Sequence, residues 1–222
     1  MFTFEKPSGK AFKNMITKDL QTETKIKEAA LELFEKYGSK GTTVRKVADK
    51  AGVNLALMNY YFQSKDKLFL DIFNERFSQY RDFGVSLLLD RSLSFEKRLE
   101  NYYDAMIAGM EQRPGLPMFI LSELHFNENL KPENGLPDNS EINAMLEEML
   151  REEFEAGKIR KISALEFQLI LVSQTVFPYL MTKQMNAFGK NGDNSQSFNL
   201  NEFMTTTYKT NFLEMVTGFM MK

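Results

Sequence analysis

Residues Thr42 to Phe62 read TTVRKVADKAGVNLALMNYYF, and the spacing inside this stretch is that of two short helices crossing at a tight turn. Counted from Val44 as the first position, Val47 and Ala48 fall fourth and fifth, Ala51 to Val53 eighth to tenth, Met58 fifteenth and Tyr61 eighteenth. Ala48 is small where two steeply crossed helices must touch, and Gly52 can take the positive φ that the turn requires. Val47, Ala51, Val53 and Met58 are placed to fill the seam. Thr43 precedes the first helix as an N-cap, and the terminal amides there can face a phosphate. The pattern predicts a helix-turn-helix, in which the second helix enters the major groove of DNA.

At about 100° per residue, that second helix separates into two faces. Met58 and Phe62 point toward the core. Ala56 and Tyr60 point the opposite way, flanked by Leu57 and Asn59, with Tyr61 between the two faces. An Asn can bond an adenine edge with two hydrogen bonds, apolar groups can meet a thymine methyl, and a Tyr hydroxyl can reach a phosphate.

The rest of the chain is read outward from this motif. Its 222 residues suit a small domain joined to a larger one. The net charge of −2 is unevenly spread: twelve Lys or Arg stand against seven Asp or Glu from Met1 to Lys65, and sixteen against twenty-three from Asp66 onward. A basic head on an acidic body fits nucleic-acid binding at one end and another task at the other. The chain has no cysteine, which removes disulfides and thiol chemistry. Neither a signal-peptide core nor an unbroken apolar run of membrane-spanning length is present, so a soluble cytoplasmic protein is expected.

Helical periodicity dominates. Residues 1–20 form a Lys-bearing arm with Pro7 and Gly9 and are expected to be loosely ordered; 21–66 make the DNA-binding domain and 67–222 the body. Ile26, Ala29, Ala30, Leu33 and Phe34 stripe a supporting helix over about Thr22–Tyr37, closed by Gly38 as its C-cap. Ser64 caps a long helix leading out of the head. Further helices are expected over Phe95–Gln112, Met118–Phe126, Glu141–Ala156, Ala164–Met185 and Leu200–Met220. Pro178 should kink the fourth of these.

The run from Thr24 to Phe73 carries ALELFEKYG, then T-x-R-x-x-A-x-x-A-G-V, then NYYF-x-SK, and resembles the N-terminal domain of the tetracycline-repressor (TetR) family of bacterial regulators. The resemblance covers about the first third of the chain. It implies an all-α homodimer with a three-helix helix-turn-helix head and a larger effector-binding and dimerisation body. The partners it implies are a palindromic double-stranded operator and a small effector, with no membrane. Its DNA contacts carry over to Thr43, Arg45, Leu55, Ala56, Leu57, Asn59, Tyr60, Tyr61 and Lys65. Asn54, Ala56 and Asn59 depart from residues common at these places in the family, so the operator cannot be borrowed from a relative.

The body has no comparable motif, but 20 Phe and 14 Met enrich the chain in adaptable apolar side chains. Between helices of a bundle such residues can line a ligand site. The candidates are Tyr103, Met106, Met110, Phe119, Phe126, Met149, Phe167, Leu171 and Gln174, each also a natural core residue. Ser163–Glu166 and Asn199–Glu202 place a cap and an acid three residues apart, starting two late helices firmly. Ile170, Leu171, Phe177 and Leu180 on the first, with Phe203, Phe212, Met215 and Phe219 on the second, are read as a four-helix dimer interface with a symmetry mate.

A sole histidine, His125, the lack of a Gly-rich phosphate loop and the lack of paired metal-ligand spacing argue against an enzyme, and no cofactor or metal is expected. The Glu residues from Glu147 to Glu155 read as a solvated helix face. The expected function is a one-component transcription regulator, a repressor released by a small apolar effector. The competing reading is a DNA-binding adaptor whose body takes a protein partner or nothing.

Overall fold

The computed structural model describes residues 9–128, 130, 139–189 and 199–221. Its elements are α1 (Gly9–Gly41), α2 (Val44–Ala51), α3 (Leu55–Phe62), α4 (Lys65–Leu88), α5 (Phe95–Gln112), α6 (Leu116–Phe126), α7 (Ser140–Glu155), α8 (Ala164–Gly189), α9 (Leu200–Thr205) and α10 (Thr207–Met220). The fold is all-α; one antiparallel bridge joins Ile159 to Met221. Two compact units emerge, Met1–Glu75 with Leu121–Gly135 and Arg76–Ile120 with Leu136–Lys222, so that α4 and α6 each contribute to both.

In the first unit, α1 starts at Gly9, earlier than the loose arm of 1–20 allows. No breaker follows Gly9 before Gly38, and a helix nucleated by its packed C-terminal half extends at little cost. The rest of the arm lies outside the described residues. Gly38 breaks the helical path at φ 68°, ψ 173°, as its C-cap assignment requires. The core contains Ile26, Ala29, Ala30, Leu31, Phe34, Leu68, Phe69 and Phe73, with Phe34 meeting Phe69 edge-on at 5.2 Å. Leu31 takes the buried place that the sequence stripe assigned to Leu33, which is half-buried. Each buried Phe contributes about 1.5–3 kcal/mol.

The second unit packs α5, α7, α8, α9 and α10 with part of α4 around one cluster that includes Leu99, Tyr103, Met110, Leu146, Met149, Phe167 and Phe212. Both expected capping boxes form. The Ser163 amide and hydroxyl donate to Glu166 Oε2 at 3.0 and 2.8 Å, and the Glu202 amide donates to Asn199 Oδ1 at 3.2 Å.

Two expectations fail here for physical reasons. The helix over Leu200–Met220 is broken at Thr206 (φ −119°, ψ −81°), where the Thr205 and Thr206 hydroxyls donate to the carbonyls of Asn201 and Glu202 at 2.8 and 2.5 Å. A run of three threonines thus offers local bonds that compete with helix propagation. Glu153, read as part of a solvated face, is buried and paired with the equally buried Arg98, whose Nη1 also donates to the Leu88 carbonyl at 3.1 Å. Lys158 approaches the other carboxylate oxygen at 3.1 Å. Nothing local to α7 announces a partner 55 residues away.

α8 continues as a single helix past Pro178. Over Ala164–Thr182 it is also long and apolar enough to cross a membrane by length and composition, which the search for an unbroken apolar run missed. Its apolar residues divide between two faces. Ala164, Phe167, Leu171 and Tyr179 enter the core, whereas Leu165, Leu169, Val172, Phe177 and Met181 are exposed.

Candidate nucleic-acid interface

The helix-turn-helix is assembled by local caps. Thr43, in extended backbone, accepts the Lys46 amide on its hydroxyl at 3.3 Å and starts α2. Gly52 closes α2 at φ 68°, ψ 34°, and the Val53 amide returns to the Ala48 carbonyl at 3.0 Å. Asn54 then caps α3, its Oδ1 accepting the Leu57 amide at 2.8 Å. Val47, Ala48, Met58 and Phe62 are buried at the seam, while Ala51 and Val53 are half-buried at its edge.

After α3 the chain turns sharply at Gln63, which sits at φ 58°, ψ −44°, the only non-glycine residue with positive φ among those described. The Ser64 amide donates to the Phe62 carbonyl at 2.5 Å across it, a strained three-residue turn. Ser64 Oγ next accepts the Lys67 amide at 3.1 Å and starts α4.

This scaffold leaves Thr43, Arg45, Leu55, Ala56, Asn59 and Tyr60 exposed, with Tyr60 71% open. Leu57, Tyr61 and Lys65 are half-buried. The face therefore combines a guanidinium, an amide, a phenol and small apolar groups around the amide-bearing start of α2. Such a set can hold phosphates and read base edges.

Tyr61 and Lys65 also have partners in the head itself. The Tyr61 hydroxyl donates to Asp19 Oδ1 at 2.5 Å, and that contact pushes the phenol's pKa up. Lys65 Nζ donates to the Ser39 carbonyl at 2.8 Å, satisfying a group left open where α1 ends. An ammonium has three donors, so this bond leaves capacity for a phosphate.

Three residues of the head went unnoticed in the sequence. Asp19 abuts the recognition helix. Lys46 lies over the Tyr37 ring at 5.2 Å from its centroid. Glu123, near the end of α6, is buried and accepts the Ser39 amide, the Ser39 hydroxyl and the Asn127 side-chain amide, each at 2.8 Å. That last arrangement makes α6 a structural part of the head, and only the 84-residue separation hid it. His125, Glu123's neighbour but one, is exposed, its ring 4.5 Å edge-on from Phe126.

Of the candidates for ligand lining, Tyr103, Met106, Met110, Met149, Phe167 and Leu171 come together in the core of the second unit. Tyr103 donates to the Met204 carbonyl at 2.6 Å, and Gln174 accepts from the Tyr208 hydroxyl at 3.3 Å. Phe119 is buried apart from that cluster, and Phe126 is 68% exposed and belongs to the first unit, which removes it from any cavity in the body. Of the residues read as a dimer stripe, Leu171 and Phe212 are core, and Ile170, Leu180 and Phe203 are half-buried. The open apolar face consists instead of Leu165, Leu169, Val172, Phe177 and Met181 on α8 with Met215 and Phe219 on α10. Both helices are apolar on more than one side, so periodicity alone cannot say which side is inward. Among the described residues no group of three His, Asp or Glu could hold a metal ion.

Residues 26–72 match the family model for bacterial regulatory proteins of the tetR family. Over 61 residues the chain is 39% identical to a probable HTH-type transcriptional regulator, YttP, of Bacillus subtilis strain 168, covering 28% of this chain and 30% of that protein. Over 56 residues it is 43% identical to the HTH-type transcriptional dual regulator CecR of Shigella flexneri, 25% of each chain. The chain thus matches less than a third of the length of these relatives. The fold extends further. A TetR family transcription regulator from Marinobacter aquaeolei VT8 superposes with a TM-score of 0.67 at 17% identity, over 93% of this chain and 98% of that one. HlyIIR, a hemolysin II transcriptional regulator, gives 0.58 at 20% identity over 87% and 97%. Residues 26–72 thus match the tetR family of bacterial regulatory proteins in sequence, and the chain shares its fold with such structures over nearly their whole length.

Proposed function

We propose that the chain is a one-component transcription regulator, a repressor that binds a palindromic operator as a homodimer and releases it when a small, largely apolar effector enters the second unit. The observation that carries this reading is the exposed face of α2 and α3, where Arg45, Asn59 and Tyr60 project from a firmly capped helix-turn-helix. Arg45 and Lys65 supply the phosphate contacts, and Leu55, Ala56, Leu57 and Asn59 face the base edges. Thr43 and Tyr61 flank them at the backbone. The exposed apolar residues of α8 and α10, costly to leave to solvent, support the homodimer.

Selection from a pool of randomised DNA duplexes tests this directly. The expected outcome is an inverted repeat whose half-site centres lie about one helical turn, roughly 34–36 Å, or a multiple of it, apart. Recovery of a single asymmetric half-site, or of no enriched sequence, would count against it.

A further inference from the structure

Three tyrosines converge inside the second unit. Tyr80 comes from α4, Tyr102 from α5 and Tyr179 from α8. Two of them have evident partners. The Tyr179 hydroxyl donates to the Met110 carbonyl at 3.0 Å, and Tyr102 bonds the side chain of Thr175, whose own hydroxyl donates to the Leu171 carbonyl at 2.8 Å. The Tyr80 hydroxyl is shut away from solvent and has no partner. It lies so close to α5 that a Cβ added at Gly109 would stand 2.6 Å from it, and a Cβ at Gly84 would stand 3.0 Å from the Tyr102 ring. Bare backbone at both positions is what lets the two phenols sit across the helices. Met106 adjoins them, its Sδ 3.7 Å from where a Cβ at Gly84 would stand, and its flexible thioether chain rearranges at low cost to admit another molecule.

From this arrangement we infer that the second unit binds a neutral ligand with an apolar body and one hydrogen-bond acceptor, such as a ketone, ester or lactone carbonyl, which takes the proton of the Tyr80 hydroxyl. The inference rests on the effector reading above and adds the chemistry that the effector must carry. Tyr80 has a hydrogen-bond donor that nothing among the described residues uses, and a buried donor left unpaired is costly unless an acceptor arrives. Charge is excluded by the surroundings. Burial pushes the Tyr80 and Tyr102 phenols up to about 12, and the ionisable groups acting on them among the described residues are other tyrosines, Tyr179 on Tyr80 and Tyr80 on Tyr102. A carboxylate placed there would lose its hydration and meet only the like charge of Glu111, which acts on Tyr179, and an ammonium would have that one distant carboxylate to offset the hydration it loses.

The test uses the full-length protein, thermal unfolding and four probes of matched length: octan-2-one, octanoate, octylammonium and oct-1-ene. Without any probe, Tyr80→Phe should raise the unfolding midpoint by about 2–4 °C, because it removes an unpaired hydroxyl and keeps the ring. Tyr179→Phe should lower it, because it breaks the bond to Met110. Octan-2-one should bind the wild-type protein about tenfold more tightly than Tyr80→Phe, and more tightly than either charged probe. A Tyr80→Phe midpoint that is unchanged or lower would show the hydroxyl already satisfied, by a single trapped water for example, and overturns the proposal. Equal octan-2-one affinity in wild type and variant removes the Tyr80 anchor and leaves the effector reading standing. Failure of all four probes to bind, with the Tyr80→Phe rise intact, removes the effector reading and this proposal with it.

Discussion

If two copies pair through α8 and α10 as proposed, Phe177→Ser should leave the protein monomeric at concentrations where the wild type is a dimer. Phe177 lies on the exposed face of α8 and is 63% open. A Phe side chain presents roughly 200 Å², so about 125 Å² awaits cover. At about 25 cal/mol per Å², covering it is worth about 3 kcal/mol. A two-fold interface uses the same patch from both protomers, which doubles the loss on mutation to about 6 kcal/mol. If each ring is only half covered, about 3 kcal/mol remains, so the dimer dissociation constant should rise by about two to four decades. The matched control is Phe83→Ser. Phe83 is 58% exposed on α4, outside the face assigned to pairing, and its loss should leave association unchanged. Sedimentation equilibrium from nanomolar to tens of micromolar protein separates these cases, with circular dichroism to establish that both variants fold. A Phe177→Ser dissociation constant within fivefold of wild type, or equal weakening by both variants, would refute the assignment of this face to self-association.

Further outcomes are expected of the head. Arg45→Ala and Lys65→Ala should each weaken binding to all DNA sequences and reduce the slope of log affinity against log salt by about one, as titrations at several salt concentrations will read. Lys65→Ala should in addition lower the unfolding midpoint, because the Ser39 carbonyl loses its donor. Asn59→Ala should relax preference at one base pair of each half-site, by about 1–3 kcal/mol in a randomised-site selection, whereas uniform weakening would assign Asn59 to the backbone. Glu123→Ala should destabilise the first unit by about 3 kcal/mol in chemical denaturation, since it strands the Ser39 amide and hydroxyl together with the Asn127 amide. Gln63→Gly should stabilise the protein by about 1 kcal/mol, measured in the same way, by relieving the positive φ after α3; a loss of stability would show that the turn is not strained.

What the sequence disclosed and what it withheld divide along a physical line. Cap residues act within three or four positions of themselves, so Thr43, Asn54, Ser64, Ser163 and Asn199 announce their helices locally and the structure shows each accepting the expected amide. Gly52 likewise has one steric reason to be where it is. The helix α3 was legible through the spacing of Met58 and Phe62 to the seam with α2, both of which are buried. α8 and α10 were not, because apolar residues on several sides leave the inward direction to be fixed by tertiary packing. The remaining surprises are long-range polar contacts: Tyr61 with Asp19, Glu123 with Ser39 and Arg98 with Glu153 join residues 42, 84 and 55 positions apart. Each is a buried or bridging charge whose partner no periodicity encodes. Tyr80 escaped for the complementary reason, since an unpaired hydroxyl is visible only once its neighbours are known.

These long-range contacts also set the scale on which an effector would have to act. Weakening operator affinity a hundredfold takes about 2.7 kcal/mol of coupling, and by linkage the operator must weaken the effector by the same factor. That is a small quantity beside the contacts at the end of α6. Glu123 holds Ser39, at the approach to the helix-turn-helix, through two hydrogen bonds at 2.8 Å, and a hydrogen bond to a charged group is worth about 1.5–3 kcal/mol. Weakening one or two of them matches the whole coupling required. Both bonds sit on Ser39, whose carbonyl is held by Lys65 at the first residue of α4, so α4 and α6 meet the same few atoms of the head. A ligand that shifts either helix by the length of a hydrogen bond therefore acts on the point from which α2 and α3 are aimed. If the proposed homodimer presents two heads to one turn of DNA, a displacement of a few ångströms at that point is enough to spoil the match.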